Sequence, residues 1–294
     1  MAKETTAGTA LALVEKDRHK TTVLRDTMTK YPELYMQVLF VGDKSEEPAF
    51  NEMFVHAGCT KAEDISRADL VIFGGGVDVS PSLYGQTPHS SVRSNRERDA
   101  RDIEVFKECF REGIPMFGVC RGAQFLHVMN NGKLWQDVNE HYGDHEMLDL
   151  KAERSIRVSS VHHQMCRLFW GGAMPPDFNL IGTTTLATHR MMNSEIKQDG
   201  LYEDCEAYFY SDSLCFGVQG HPEYRGYTEF AVWALEMIRE LIINHPDVEL
   251  KDSLYRMKKA ARDLRDEHWK KLGWSLPYVN KTVVELTPEM ETMQ

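Results

Sequence analysis

The amino-acid sequence predicts an α/β domain built on an open, mostly parallel sheet. Three observations predict it. Short apolar runs alternate with amphipathic helical ones, several apolar runs lead into glycine-rich turns, and one such turn holds a cysteine between two glycines, Gly118-Val119-Cys120-Arg121-Gly122. In open α/β sheets, sites form at the carboxyl ends of the strands, which is where such turns lie.

The elements follow in order. Tyr35 to Val41 reads as a strand buried on both faces, and a short helix from Pro48 to Ala57 ends at Gly58. A second strand, Asp69 to Phe73, runs into Gly74-Gly75-Gly76. Between Arg98 and Glu112, Ile103, Phe106 and Phe110 share one helical face, and Gly113 with Pro115 ends that helix. The run Pro115 to Val119 is the next strand, and a helix follows Cys120. Shorter strands are expected at Ser155 to Val158, Asn179 to Thr185, Glu206 to Tyr210 and Cys215 to Gln219. Phe230, Trp233, Ala234, Met237, Ile238 and Leu241 describe a last amphipathic helix.

This pattern divides the chain into an N-terminal extension at 1–33, a catalytic domain at 34–245 and a C-terminal extension at 246–294. The C-terminal extension holds an amphipathic stretch in which Leu254, Met257, Ala261 and Leu264 share a face. Residues 251–271 carry eight basic and four acidic groups. That face suits docking to a partner or anionic ligand, and equally suits the solvated outside of a helix packed on its own domain.

Composition narrows the function classes. The 294 residues carry a formal net charge of −11, which opposes general binding to nucleic acid or to anionic membrane surfaces. No apolar run approaches the ~20 residues of a membrane span, and Ala10 to Val14 is too short for a signal-peptide core. Cysteines at 59, 109, 120, 166, 205 and 215 form no C-x-x-C pair, and several fall in apolar patterns. Reduced, mostly buried thiols in a cytoplasmic protein are the expectation.

Cys120 is the candidate nucleophile. A cysteine on a tight strand-to-helix turn is presented like the serine of a nucleophile elbow, and the helix N-terminus favours its thiolate. About a hundred residues later Gln219-Gly220-His221-Pro222-Glu223 follows another apolar strand, supplying His221 as base and then acid, and Glu223 as the carboxylate that orients it. Pro222 argues against a helix there, so both side chains can face the elbow. The oxyanion would be held by the backbone N–H of Arg121 and one from Gly75 or Gly76, where glycine permits close approach. A plain tight turn is the competing reading of that loop. The absent Gly-Lys-Ser/Thr ending argues against a phosphate loop. His141, His145, His162 and His163 admit a reading as metal ligands, but no metal or other cofactor is expected: Gly143 suggests a loop, and thiol chemistry needs no metal. His127 and His189 read as structural.

From about residue 35 to 245 the chain resembles the class I glutamine amidotransferase superfamily, within it the peptidase C26 branch of γ-glutamyl hydrolases, including the γ-glutamyl-γ-aminobutyrate hydrolase type. The resemblance rests on Phe73 to Pro81, Leu83-Tyr84-Gly85, Arg98-Asp99, Gly118 to Gln124, Gly132 to Asp137 with His141, Ser160-Val161-His162-His163-Gln164, and Gln219 to Glu223, in that order. It implies a three-layer α/β/α, flavodoxin-like fold and cleavage of a γ-glutamyl amide through a glutamyl-thioester. It also implies that Gln124 holds the glutamyl group with polar contacts from Ser160, His162, His163 and Gln164. Two features depart from the pattern. Gly220 stands where family members commonly carry an aromatic residue, implying a missing pocket wall or packing contact, and both terminal extensions lie outside it.

Three readings stand at this point. The first is a free-standing hydrolase of a small-molecule γ-glutamyl substrate, favoured by Arg121 and the Asp78-Val79-Ser80-Pro81 loop. The second is a glutaminase subunit serving a separate synthetase or other protein through the C-terminal segment. The third is a binding or regulatory module without turnover, against which the intact Cys120, His221 and Glu223 argue.

Overall fold

The computed structural model describes residues 31–168 and 177–244. The basic helix expected at 251–271, and nearly all of both extensions, lie outside the described residues.

The chain runs β1 (Gln37–Val41), α1 (Glu47–His56), β2 (Thr60–Lys61), β3 (Leu70–Phe73), α2 (Arg96–Glu112), β4 (Met116–Val119) and α3 (Arg121–Met129). Short strands follow: β5 (Lys133–Trp135), β6 (Asp137–Val138), β7 (His145–Asp149), β8 (Arg154–Val158), β9 (Met165–Arg167), β10 (Phe178–Thr184), β11 (His189–Met191) and β12 (Lys197–Asp199). β13 (Asp204–Tyr210), β14 (Cys215–Val218) and α4 (Thr228–Ile238) complete it, with one π-helical turn, Arg239–Ile243, carrying α4 onward.

Nine strands form the main sheet in the order β2-β1-β3-β4-β14-β13-β10-β7-β8. Pairing is parallel from β2 to β14 and antiparallel from β14 through β13, β10 and β7 to β8. The change has a physical reason. Parallel neighbours need a long crossover, which α1, α2 and α3 provide, whereas the connections β7–β8 and β13–β14 are short and return the chain antiparallel.

Residues in β3 alternate between the two faces. Leu70 and Ile72 pack into one apolar core with Phe50, Phe54 and Trp233 of α1 and α4. Val71 and Phe73 pack into the other with Phe106 of α2 and Phe125 of α3. The sheet therefore lies between two helical layers, the three-layer α/β/α arrangement anticipated from the sequence. α2 shows how such a helix is bounded: Asn95 caps its start by accepting hydrogen bonds from the N–H groups of Glu97 and Arg98, and Gly113 at φ 66° ends it.

Register places the site. Phe73 of β3 pairs with Gly118 of β4, and Val119 of β4 pairs with Val218 of β14. The glycine loop, the elbow and the 219–223 segment consequently leave three adjacent strands at the same edge. All six cysteines are buried and free.

Candidate functional site

Cys120 is held at φ 51° and ψ −110°, a conformation that side-chain-bearing residues rarely adopt, at the N-cap of α3. Its N–H donates to the Val218 carbonyl at 2.9 Å, and its own carbonyl accepts from Gln124 N–H at 3.0 Å. The flanking glycines make the turn possible. A β-carbon on Gly118 would stand 2.7 Å from the Ala123 nitrogen, and one on Gly122 would collide with the Phe73 carbonyl.

His221 reaches this elbow from the end of β14. Its Nδ1–H donates to Glu223 Oε1 at 2.7 Å, and its side chain is hydrogen-bonded with Cys120. Burial opposes its charge, but the bonds with Cys120 and Glu223 outweigh burial and raise the imidazole from 6.5 to about 10. Ser159 fixes the His221 backbone, accepting from its N–H at 2.8 Å and donating to its carbonyl at 3.3 Å. Tyr224 stacks on the imidazole, centroids 4.3 Å apart at an interplanar angle of 10°.

The glycine loop faces the same point. A β-carbon on Gly75 would lie 2.9 Å from His221 Cε1, so only glycine permits this approach. Among the described residues the N–H groups of Gly75, Gly76 and Arg121 make no hydrogen bond. Unspent N–H groups beside a candidate nucleophile are what an oxyanion would require.

Ion pairs beneath the site brace both loops. Arg121 is buried, pairs with Asp99 at 2.5 Å and with Asp102, and lies over the Phe125 ring. Arg98 donates to the Gly74 carbonyl at 3.2 Å, and Asp99 accepts from Ser80 N–H at 3.2 Å. The Arg98-Asp99 block therefore fastens the elbow, the glycine loop and the loop after it to one helix.

The residues expected around the glutamyl group gather on one side. Gln124 donates to the Gln164 carbonyl at 2.8 Å, and Ser160 donates to the His141 carbonyl at 2.6 Å. The Gln164 side-chain amide is buried with neither polar atom partnered. His162 is buried, its Nδ1–H donating to the Gln164 carbonyl at 2.9 Å, and burial lowers its pKa well below the ordinary histidine value. His163 stands apart in function: its ring nitrogens lie 3.2 Å from Asp78 and 3.2 Å from Asp137, so it ties the Asp78 loop down. The hydrogen bond that its Nε2–H donates to Asp78 is the main cause that raises its pKa.

Sequence reasoning missed Glu46, Ser159 and Tyr224. Glu46 projects from the start of α1 toward Gly74 and Gly75, with Oε2 buried and unpartnered and its pKa raised by burial. No motif marks it, because it comes from a distant part of the chain. His141, His145, His162 and Glu206 also converge: ligand atoms of His141, His162 and Glu206 lie within 4.8 Å of one another. His127, read as structural, is buried and donates from Nε2 to the Lys133 carbonyl at 3.1 Å while Tyr210 donates to its Nδ1 at 2.9 Å.

A cysteine on a strand-to-helix elbow, a histidine–glutamate pair and a glycine loop at the edge of a three-layer sheet define a cysteine hydrolase of the glutamine amidotransferase type. The chain belongs to the peptidase C26 family, whose family model matches residues 59–223. Protein NtpR of Enterococcus hirae is 28% identical over 56% of this chain and 70% of its own length. A provisionally named glutamine amidotransferase of Schizosaccharomyces pombe is 28% identical over 58% of this chain and 67% of its own. The match to a Lactococcus lactis glutamine amidotransferase-like protein, the YvdE homolog, is 40% identical but spans 27% of this chain and less than half of that protein, 45%. The carbamoyl phosphate synthase small chain of Syntrophotalea carbinolica is 27% identical over 53% of this chain and 39% of its own length. No helix among the described residues is long and apolar enough to cross a membrane.

Proposed function

We propose that the protein hydrolyses a γ-glutamyl amide bond through a glutamyl-thioester on Cys120. The observation that carries this reading is the strained Cys120 elbow hydrogen-bonded with a His221 whose other nitrogen is held by Glu223. The Cys120 sulfur attacks the γ-carbonyl carbon, and the N–H groups of Arg121 and Gly75 or Gly76 receive the developing oxyanion. One such donor is worth ~3 kcal/mol at the transition state. His221 passes its proton to the departing amine as the C–N bond breaks, leaving the thioester. Water then attacks; His221 takes its proton, the C–S bond breaks, and glutamate leaves with the thiol restored. The unpartnered Gln164 amide and the neighbouring Gln124 offer the polar contacts a glutamyl group needs.

The kinship with a carbamoyl phosphate synthase small chain favours a second reading, in which the same chemistry on glutamine delivers ammonia to a separate synthetase. A panel of glutamine, γ-glutamyl-γ-aminobutyrate and γ-glutamyl-putrescine, assayed for glutamate and amine with Cys120→Ser as control, separates the two. Rapid Cys120-dependent release from one substituted amide supports the free-standing hydrolase. Slow turnover of glutamine alone supports the synthetase-linked glutaminase, and absence of turnover on every member defeats the hydrolase reading.

A further inference from the structure

Behind the Ser159–Gln164 segment lies a cluster of histidines and one carboxylate that the thiol chemistry does not use. His141, His162 and Glu206 are buried, and the His145 ring is nearly so. Each histidine has one ring nitrogen committed. His141 Nε2 lies 3.2 Å from Asp204 Oδ2, His162 Nδ1 lies 2.9 Å from the Gln164 carbonyl, and His145 Nδ1 lies 3.4 Å from the Gly143 carbonyl. Carbonyl and carboxylate oxygens only accept, so each committed nitrogen carries the proton.

The tautomers that result leave lone pairs on His141 Nδ1, His162 Nε2 and His145 Nε2. His141 Nδ1 stands 3.5 Å from Glu206 Oε1, and His145 Nε2 stands 3.1 Å from the same oxygen. None of these three nitrogens, and neither Glu206 oxygen, has a hydrogen bond of acceptable geometry. Lone pairs facing a buried carboxylate repel one another unless a proton or a metal cation lies between them. At His145, burial opposes the charged form but the Glu206 carboxylate outweighs it and raises the pKa, so a proton can fill that role there, whereas the His141 and His162 lone pairs keep the demand for a cation. Among the described residues no lysine or arginine pairs with Glu206, and the buried Arg190 guanidinium is spent on Asp204 at 2.6 Å.

We propose that His141 Nδ1, His145 Nε2, His162 Nε2 and a Glu206 oxygen bind a divalent metal ion of the zinc type. Three imidazoles and one carboxylate supply four nitrogen and oxygen donors, the coordination number of a closed tetrahedral zinc site. Each imidazole already donates its far N–H to a carboxylate or carbonyl, the outer support that orients metal-bound histidines. Tetrahedral ligand atoms at ~2.0–2.1 Å from zinc are about 3.4 Å apart, so the ligand atoms of His141, His162 and Glu206, now within 4.8 Å of one another, close on the ion by side-chain rotation, and His145 Nε2 joins them from its place 3.1 Å from Glu206 Oε1. The ion would brace the segment through which Ser159 clamps His221 and Gln164 faces the substrate side. The sequence offered the three histidines as possible ligands, but Glu206 comes from β13, far along the chain, and spacing hid it.

The test uses the full chain, purified without a metal-chelating tag and stripped by a chelator. Zn²⁺ is titrated against a chromophoric competitor, and Co²⁺ is added separately to record its visible ligand-field bands. The expected result is about one equivalent of either ion, with the band intensity of a tetrahedral site. Glu206→Gln and His162→Asn should each weaken binding by at least about 10–100-fold while circular dichroism stays unchanged. Should those buried changes prevent folding, His145→Gln, nearer the surface, should still lower affinity and alter the cobalt spectrum. No uptake by the wild-type chain, or uptake that these variants leave unchanged, overturns the proposal. These readouts require no turnover, so they stand apart from the assay of the hydrolase reading.

Discussion

Gly220 lies so close to Ser159 that a β-carbon on it would stand 2.6 Å from the Ser159 carbonyl oxygen and 2.9 Å from Phe230 Cε1. A larger residue at this position has no room without moving the backbone that Ser159 holds. The glycine that departs from the family pattern is therefore fitted to its neighbours, and Phe230 supplies apolar bulk beside it. Gly220→Ala should lower stability by roughly 1–3 kcal/mol through overpacking, and lower kcat by displacing His221. Urea unfolding with turnover on the best panel substrate checks this; unchanged values for both would show that the clamp yields freely.

Cys120→Ala should remove nearly all turnover, by as much as ~10⁶-fold, while the fold persists. Glu223→Gln should leave partial activity. It removes the charge facing His221 but not the imidazole, a change that costs on the order of 10⁴ in related triads. Full activity in Glu223→Gln would move the orienting role to another carboxylate, and Glu46 is the one that lies beside the same loop.

Arg121→Met should destabilise the protein by about 3–5 kcal/mol, because it leaves Asp99 and Asp102 buried without their main cation. Removing both charges along with the arginine, in an Asp99→Asn, Asp102→Asn, Arg121→Met triple variant, should recover part of the loss. Thermal unfolding of the two variants decides it: no recovery would mean that the side-chain hydrogen bonds to the loops, rather than charge balance, hold the elbow.

The fold, and the grouping of Cys120, His221 and Glu223 at one edge, were legible because each part is local in sequence. Cys120 and its two glycines lie within one turn, His221 and Glu223 within three residues, and each apolar strand announces itself by its own composition. The antiparallel half of the sheet was less legible, since β7 reads Glu146 and Leu148 outward and resembles a loop until β8 and β10 pair with it. Glu46 and Ser159 could not be read at all, and of the Glu206 cluster the sequence offered His141, His145 and His162 as possible metal ligands, alongside His163, but not the carboxylate. The meaning of Glu46, Ser159 and Glu206 comes from contacts with residues far along the chain, such as Glu46 beside Gly75 and His221, for which a single sequence carries no signal.

The pH dependence follows from His221. Its pKa rises from 6.5 to about 10 on folding, with burial opposing the rise and the Cys120 and Glu223 bonds driving it. A histidine whose folded pKa is raised contributes stability that is fully present below about pH 6.5 and is lost as pH rises toward 10. Within that window the unfolded chain gives up the proton that the folded chain keeps, so the unfolding free energy should fall with rising pH. Cys120→Ala removes one of the two groups that sustain the shift and should flatten the fall, as should Glu223→Gln. Turnover carries the same signature. In the proposed hydrolysis the protonated imidazole donates to the departing amine, so kcat/KM should decline on an alkaline limb approaching pH 10. Denaturant titrations and rate profiles between pH 6 and 10 measure both. Stability that stays level across this range in the wild-type chain would show that His221 is not held protonated by its two partners.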